Sequence, residues 1–172
     1  QFHCADRVFA PGDGTGMYEA MLEAKAQGKI RHIGITAHKI GIAEDIIESG
    51  LYETLQFPFS YLSADRELAL VENCRKHNMG FIAMKGLAGG LINNSTAAMA
   101  YMTQFDNVLP IWGIQKESEL DEWLAFMDQT PEMTDEIRAF IAKECQELAG
   151  DFLRGCGYCM PCPAGIMINQ CA

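Results

Sequence analysis

Residues 80–84 read GFIAM, five consecutive residues without a polar side chain. A short apolar run of this kind is typical of a strand buried on both faces, as strands in a parallel sheet are. On either side of it, short β-rich stretches alternate with helical patterns. The other β-rich stretches are residues 1–3, 30–36, 54–59 and 108–112. This alternation predicts a parallel sheet with helices outside it, an α/β fold.

The predicted helices follow the strands at intervals near the length of a βαβ unit. They cover residues 15–27, 39–49, 65–78, 95–105, 117–127 and 134–149. The 117–127 helix has one apolar face, made of Leu120, Trp123, Leu124 and Met127. Thr134 is the expected N-cap of the last helix. Two architectures fit: an open doubly wound sheet, or part of a (β/α)₈ barrel, since a whole barrel needs about 250 residues.

Charge and cysteine content narrow the classes of protein. The chain has 172 residues and a formal net charge of -10, which argues against a nucleic-acid surface and against anionic membranes. No apolar run approaches the roughly 20 residues that span a bilayer. The seven cysteines are an odd number and four of them are clustered, which does not fit a secreted disulfide framework. We therefore expect a cytoplasmic protein.

The clustered cysteines lie in CGYCMPCPAGIMINQCA, residues 156–172. The spacing of Cys156, Cys159 and Cys162 lets one short loop point three thiolates at one centre, and soft thiolates select zinc or iron–sulfur. Two C-x-x-C steps that share their middle cysteine favour a [4Fe–4S] cluster, because structural zinc sites more often use two separate pairs. Cys171 is the fourth ligand of this cluster or a ligand of a second one. The third interpretation is that these cysteines are free thiols.

Three stretches of the chain resemble a known family. AQGKIRHIGITAH, at residues 26–38, is similar to the QGKIRYIGVSNF passage of aldo/keto reductases. FIAMKGLAGGLI and VLPIWGIQKESELDEWL resemble the last two strands of that family's barrel and the loop and helix that follow them. The cysteine-rich stretch is similar to the branch of the family that carries a ferredoxin-like tail. The resemblance covers nearly the whole chain.

The resemblance implies a partial (β/α)₈ barrel over residues 1–150, from about the fourth strand to the eighth. A small irregular iron–sulfur segment is expected to begin at residues 151–172. Strands one to three, with the family's catalytic Asp, Tyr and Lys, have no counterpart in these residues. His3 stands at the family's active-site histidine, at the carboxyl end of a strand, where barrel enzymes build their sites. The alternative reading of His3 is purely structural.

Six further residues match positions that bind NADP(H) or NAD(H) in the family. They are Thr36, His38, Gln56, Lys85, Gly113 and Lys116. The resemblance implies that the residues after the second strand hold the nicotinamide amide and that the loop with Gly113 and Lys116 cradles a 2′-phosphate. Ordinary strand-end hydrogen bonding explains Thr36 and Gln56 equally well, and Lys116 is also read as a solvated lysine at a helix start.

The implied reaction is hydride transfer between a nicotinamide cofactor and a small carbonyl or alcohol substrate. The cluster would exchange single electrons with a partner protein, or hold the fold of the tail. Two alternatives stay open: an electron-transfer protein on a barrel without hydride chemistry, and a noncatalytic barrel with a structural metal site. Because a partial barrel exposes strand edges, we also expect the isolated chain to be marginally stable or to self-associate.

Overall fold

The computed structural model describes residues 1–148 and 162–166. In this part of the chain the strands are β1 (Phe2–Ala5), β2 (Gly34–Ala37), β3 (Thr54–Pro58), β4 (Gly80–Met84) and β5 (Val108–Pro110). The helices are α1 (Met17–Ala26), α2 (Ile40–Ser49), α3 (Asp65–Lys76), α4 (Ser95–Met102), α5 (Glu117–Asp128) and α6 (Asp135–Glu147). A 3₁₀ turn at Ala88–Gly90 lies between β4 and α4.

The strands form one parallel sheet whose spatial order is the order of the sequence, β1-β2-β3-β4-β5. Ile35 pairs with Leu55, Leu55 with Phe81, and Phe81 with Val108. A doubly wound sheet reverses its strand order at a switch point, whereas a barrel adds each strand beside the previous one. The observed order therefore belongs to a partial barrel. The predicted five-stranded parallel sheet is confirmed.

The two faces of the sheet differ in burial. Leu55, Phe57, Phe81 and Ala83 are buried under the helices, where they form the main core. Between them, the side chains that point to the opposite face are only half-buried, Gln56 among them. In a barrel the second face lines the interior. The core thus lies between sheet and helices, and the partly open inner face is available to a site.

Two predicted strands are shorter in the structure. The stretch 30–36 becomes a strand only at Gly34, because the ladder with β3 starts at the pair Gly34–Thr54. The stretch 108–112 ends as a strand at Pro110, which cannot donate a ladder hydrogen bond. One further bond, from the amide of Ile111 to the carbonyl of Ala83, continues the pairing.

The last two helices both form, but the apolar face of α5 is less buried than expected. Trp123 is buried, whereas the side chains of Leu124 and Met127 are 55% and 69% exposed. Leu120 is 42% exposed as well, so Trp123 is the one buried residue among these four. Thr134 caps α6 as predicted, since its hydroxyl accepts a hydrogen bond from the amide of Ile137.

Candidate active site

The carboxyl ends of the parallel strands meet at one edge of the sheet, which we call the carboxyl edge. His3 and Cys4 belong to the end of β1, His38 follows β2, and Lys85 follows β4. These side chains carry nitrogen and sulfur groups that donate protons or hold positive charge. Sites of barrel enzymes lie at this edge.

His3 and Cys4 lie at an irregularity in the register between β1 and β2. Cys4 has a positive φ of 49°, which is uncommon for a residue with a β-carbon. Its amide donates a hydrogen bond of 2.7 Å to the hydroxyl of Thr36, and its Sγ lies 3.3 Å from Nε2 of His3. Both side chains are exposed. The local twist therefore presents an imidazole and a thiol together to solvent.

His38 links this pair to Lys85 electrostatically. Burial lowers the pKa of His38 below its ordinary value of 6.5, and the positive charges of Lys85 and then His3 lower it further. Lys85 has a φ of 58°, a strained conformation that a lysine rarely adopts. Within the described residues, no ion pair joins His3, His38 or Lys85 to a carboxylate. The cluster is thus a basic patch with no opposite charge paired to it in this part of the chain.

Thr36 and Gln56 lie side by side on the inner face of the sheet, since they are register partners on β2 and β3. Thr36 is buried, and its hydroxyl already accepts the amide of Cys4. Gln56 is half-buried, and its Nε2 contacts Sδ of Met84 at 3.6 Å. A sulfur is a weak acceptor, so the Gln56 carboxamide keeps most of its hydrogen-bonding capacity for a ligand.

A groove of about 800 Å³ opens beside this cluster, between the loop after β4 and the start of α5. Lys85 lines one part of it, and Gly113, Trp112 and Trp123 line another. Lys116, the N-cap residue of α5, is exposed and is not among the lining residues. The structure therefore brings Lys85 and Gly113 to one groove and leaves the Lys116 side chain outside its wall.

Most of the predicted metal ligands lie outside the described residues: Cys156, Cys159 and Cys171. Cys162 is described and half-buried, and its carbonyl accepts the amide of Gly165 at 2.9 Å in a tight turn. Within residues 1–148 and 162–166, no group of three or more His, Cys, Asp or Glu side chains could hold a metal ion. The cysteine site therefore stays a prediction.

Sequence reasoning missed Cys4 and Glu119. In a regular strand Cys4 would point away from His3, because successive side chains alternate between faces. The register irregularity brings them together, and no sequence signal marks it. Glu119 has no distinguishing signal in the sequence either, yet its carboxylate accepts hydrogen bonds from the amides of Gln115 and Lys116 at the groove.

A five-stranded parallel sheet in sequence order, with basic and polar groups at its carboxyl edge, defines the class: part of an α/β barrel with its site at the strand ends. The model of the aldo/keto reductase family matches residues 1–125. The chain belongs to the aldo/keto reductase family.

Among solved structures, the chain resembles the crystal structure of a protein provisionally named as a 2,5-diketo-D-gluconic acid reductase B. The TM-score is 0.56 and the sequence identity 22%, over 78% of this chain and 53% of that one. At this identity the likeness shows a shared fold. The chain spans about half the length of that structure. No curated protein matches the chain. In the described residues, no helix has the length and apolar character to cross a bilayer.

Proposed function

We propose that the intact protein is an oxidoreductase that transfers a hydride between a nicotinamide cofactor and a small carbonyl or alcohol. The observation that carries this proposal is the meeting of His3, His38 and Lys85 at the carboxyl edge of a sheet that belongs to the aldo/keto reductase family. The family supplies the reaction class, and the cluster supplies groups suited to it.

The charges of the cluster fit the reduction of a carbonyl. Hydride addition to the carbon places negative charge on the oxygen, which fixed donors and cations stabilise. His3 is exposed and offers an imidazole that donates a hydrogen bond to this oxygen. Lys85 adds a positive charge to the same patch. The lowered pKa of His38 favours its neutral form at pH 7, so it orients a ligand without adding charge.

The inner face offers hydrogen bonds for a carboxamide such as that of nicotinamide. Gln56 presents an amide whose described contact is the weak one to Sδ of Met84. The hydroxyl of Thr36 accepts the amide of Cys4 and keeps its own proton to donate. These two side chains, with Lys85 and Gly113 farther along the edge, are the residues that we propose bind the cofactor. When bound, the cofactor supplies or accepts the hydride.

The four tail cysteines form the second part of the proposal: Cys156, Cys159, Cys162 and Cys171 hold a [4Fe–4S] cluster. The thiolate donor set and its spacing favour iron–sulfur over zinc. Leu148, where α6 ends, packs against the same apolar cluster as Leu87, which belongs to the loop beside Lys85. Cys156 lies eight residues farther on, a reach of at most about 29 Å. A tail that continues from α6 at this apolar cluster is compatible with one-electron exchange with a partner protein.

The test uses the intact gene product after anaerobic reconstitution with iron and sulfide. Fluorescence titration with NADH and NADPH is expected to show saturable binding of at least one of them. Metal analysis and the visible spectrum are expected to show a brown protein with iron and sulfide in equal amounts. If neither nucleotide binds, the reductase proposal fails, and an electron-transfer or structural module on a noncatalytic barrel replaces it. A colourless protein with one zinc overturns the cluster.

A further inference from the structure

The first strand carries one residue more than the part of β2 that it faces. Two residues of β1, His3 and Cys4, lie between register pairs that enclose Thr36 alone on β2. An extra residue of this kind is a β-bulge. The burial of β1 follows it, since Phe2 and Ala5 are buried and the two residues between them are exposed. In a regular strand Phe2 and Ala5 would point to opposite faces. The bulge therefore turns His3 and Cys4 to the same side of the sheet.

The strain of the bulge falls on Cys4. Its φ of 49° is the left-handed conformation, which glycine, asparagine and aspartate adopt more readily than cysteine does. A residue keeps such a conformation where the surrounding structure holds it. Here the Cys4 amide donates a hydrogen bond of 2.7 Å to the hydroxyl oxygen of Thr36. Thr36 is itself well fixed, because it is 4% exposed and pairs with Gln56 on β3.

This hydrogen bond also acts on His3. The amide that Thr36 accepts belongs to the peptide group between His3 and Cys4, and a peptide group is planar. Holding its N–H therefore restricts the ψ angle of His3, and with it the direction in which the imidazole leaves the strand. Direction matters at a reacting group, since a misplacement of about 1 Å can cost about 100-fold in rate.

We propose that Thr36 is a positioning residue for His3: its hydroxyl oxygen holds the bulge at Cys4 and so aims the imidazole at the substrate oxygen. The inference rests on the proposed function, in which His3 donates a hydrogen bond to that oxygen. A hydroxyl that accepts one hydrogen bond keeps its own proton to donate, so Thr36 serves His3 and a cofactor amide at the same time. Serine in its place keeps the oxygen, whereas valine keeps only the shape.

The first test needs no cofactor and compares Thr36→Val with Thr36→Ser in the intact protein. Valine removes the acceptor, so the Cys4 amide is expected to exchange its hydrogen at least about tenfold faster, and the NMR signals of the His3 imidazole are expected to shift. With serine both should stay as in the wild type. Thr36→Ala removes the same oxygen with less bulk, and it replaces the valine variant if that variant does not fold. Thr54→Val is the matched control, because it removes a hydroxyl at the amino end of β3.

The second test is a double-mutant cycle on kcat. Thr36→Val is expected to lower kcat by about tenfold when His3 is present, and by at most about twofold in a protein that already carries His3→Ala, because two residues that act through one group are not additive. Thr36→Ser should keep kcat within about threefold of the wild type, since it retains the acceptor.

Faster exchange at Cys4, shifted His3 signals and a non-additive cycle together support the inference. Losses that multiply in the cycle would show that Thr36 acts apart from His3, and would overturn it. So would a Thr36→Val protein with wild-type exchange at Cys4 and unmoved His3 signals, or a Thr54→Val protein that changes them equally. A wild type that binds neither NADH nor NADPH is a different result, because it defeats the proposed function and the catalytic role of Thr36 with it.

Discussion

The two edges of the sheet differ in whether their charged side chains form ion pairs. At the amino edge, Glu53 precedes β3 and pairs with Lys25 at 2.5 Å and with His32, and it also accepts the amide of Ile33. At the carboxyl edge, His3 and Lys85 have no carboxylate partner within the described residues. The charged side chains named at the amino edge are paired with each other, whereas in the described residues those at the carboxyl edge are free to contact a ligand. The difference fits the proposal that the carboxyl edge, rather than the amino edge, holds the active site.

Backbone strain follows the same division. Cys4, Lys85 and Ala88 have positive φ values and all lie at the carboxyl edge. Asn78, at the amino edge, also has a positive φ, but asparagine tolerates this conformation. Strained residues persist where the surrounding structure holds them for a purpose, and functional sites are the usual place.

The largest expected effect comes from replacing the histidine His3 at the carboxyl edge by alanine, compared with the same replacement of a histidine at the amino edge. His3→Ala should lower kcat by about 100-fold or more, because a positioned donor contributes at least that much to proton or charge transfer. His32→Ala is the matched control at the amino edge and should leave kcat within about twofold. Steady-state kinetics of the intact protein measures both. Equal losses in the two variants would contradict the assignment of the edges.

Replacing Lys85 by glycine should separate stability from function. Glycine adopts a positive φ without strain, so Lys85→Gly should raise the free energy of unfolding by about 0.5–1 kcal/mol. The same change removes a positive charge from the site and should lower kcat by at least about tenfold. Urea unfolding and kinetics measure the two effects.

Asn78→Gly is the control for this exchange, since Asn78 has a similar φ of 52° at the opposite edge. It should change stability by only a few tenths of a kcal/mol and leave kcat unchanged. A Lys85 variant that is more stable and fully active would show that the strained lysine has no functional role.

The ion pairs of the amino edge should make stability sensitive to acid. Hydrogen bonds from Lys25 and then His32 lower the pKa of Glu53 from 4.5 to about 2. A lowered carboxyl pKa stabilises the fold above pH 4.5, and this contribution is lost as the pH falls toward 2. Because Glu53 is partly exposed, Glu53→Gln should cost at most about 1 kcal/mol at pH 7.

Chemical unfolding of the wild type and the Glu53 variant across this pH range measures the difference. The two should converge in stability near pH 2, and kcat at pH 7 should be the same for both. A difference that stays constant down to pH 2 would show that the charge of Glu53 is not the cause.

The smallest expected effect is a change in the titration of His38. Its pKa is lowered by burial and then by the charges of Lys85 and His3. Lys85→Met removes one of these charges, so the pKa of His38 should rise toward its ordinary value while burial keeps it from returning fully. Titration by NMR measures the shift. No change in the variant would place Lys85 too far away to act on His38.

Strand and helix order could be predicted from the sequence because parallel strands read as short apolar runs. GFIAM was placed at the observed bounds of β4, Gly80–Met84. The predicted bounds of the strands at 30–36 and 108–112 differ from the observed ones. A strand ends where its pairing with the neighbouring strand ends, and no local sequence pattern carries that information. His3, His38 and Lys85 were identified from a resemblance, and their common edge follows from the parallel topology.

The contacts inside the site could not be predicted in the same way. The contact between Cys4 and His3 depends on a register irregularity, and the role of Glu119 depends on which amides it reaches in three dimensions. Both are set by long-range packing rather than by spacing along the chain. The metal site at the four tail cysteines, in contrast, is predicted from their spacing in the sequence alone, and metal analysis of the intact protein is its test.

The four histidines test the central claim most directly, because two lie at each edge: His3 and His38 at the carboxyl edge, His32 and His77 at the amino edge. The measurement is an NMR titration of their imidazole signals in the intact protein with NADH. The account predicts that the signals of His3 and His38 shift and saturate together, while those of His32 and His77 stay in place. Shifts confined to His32 and His77, or no shift at any histidine, would contradict a nicotinamide site at the carboxyl edge.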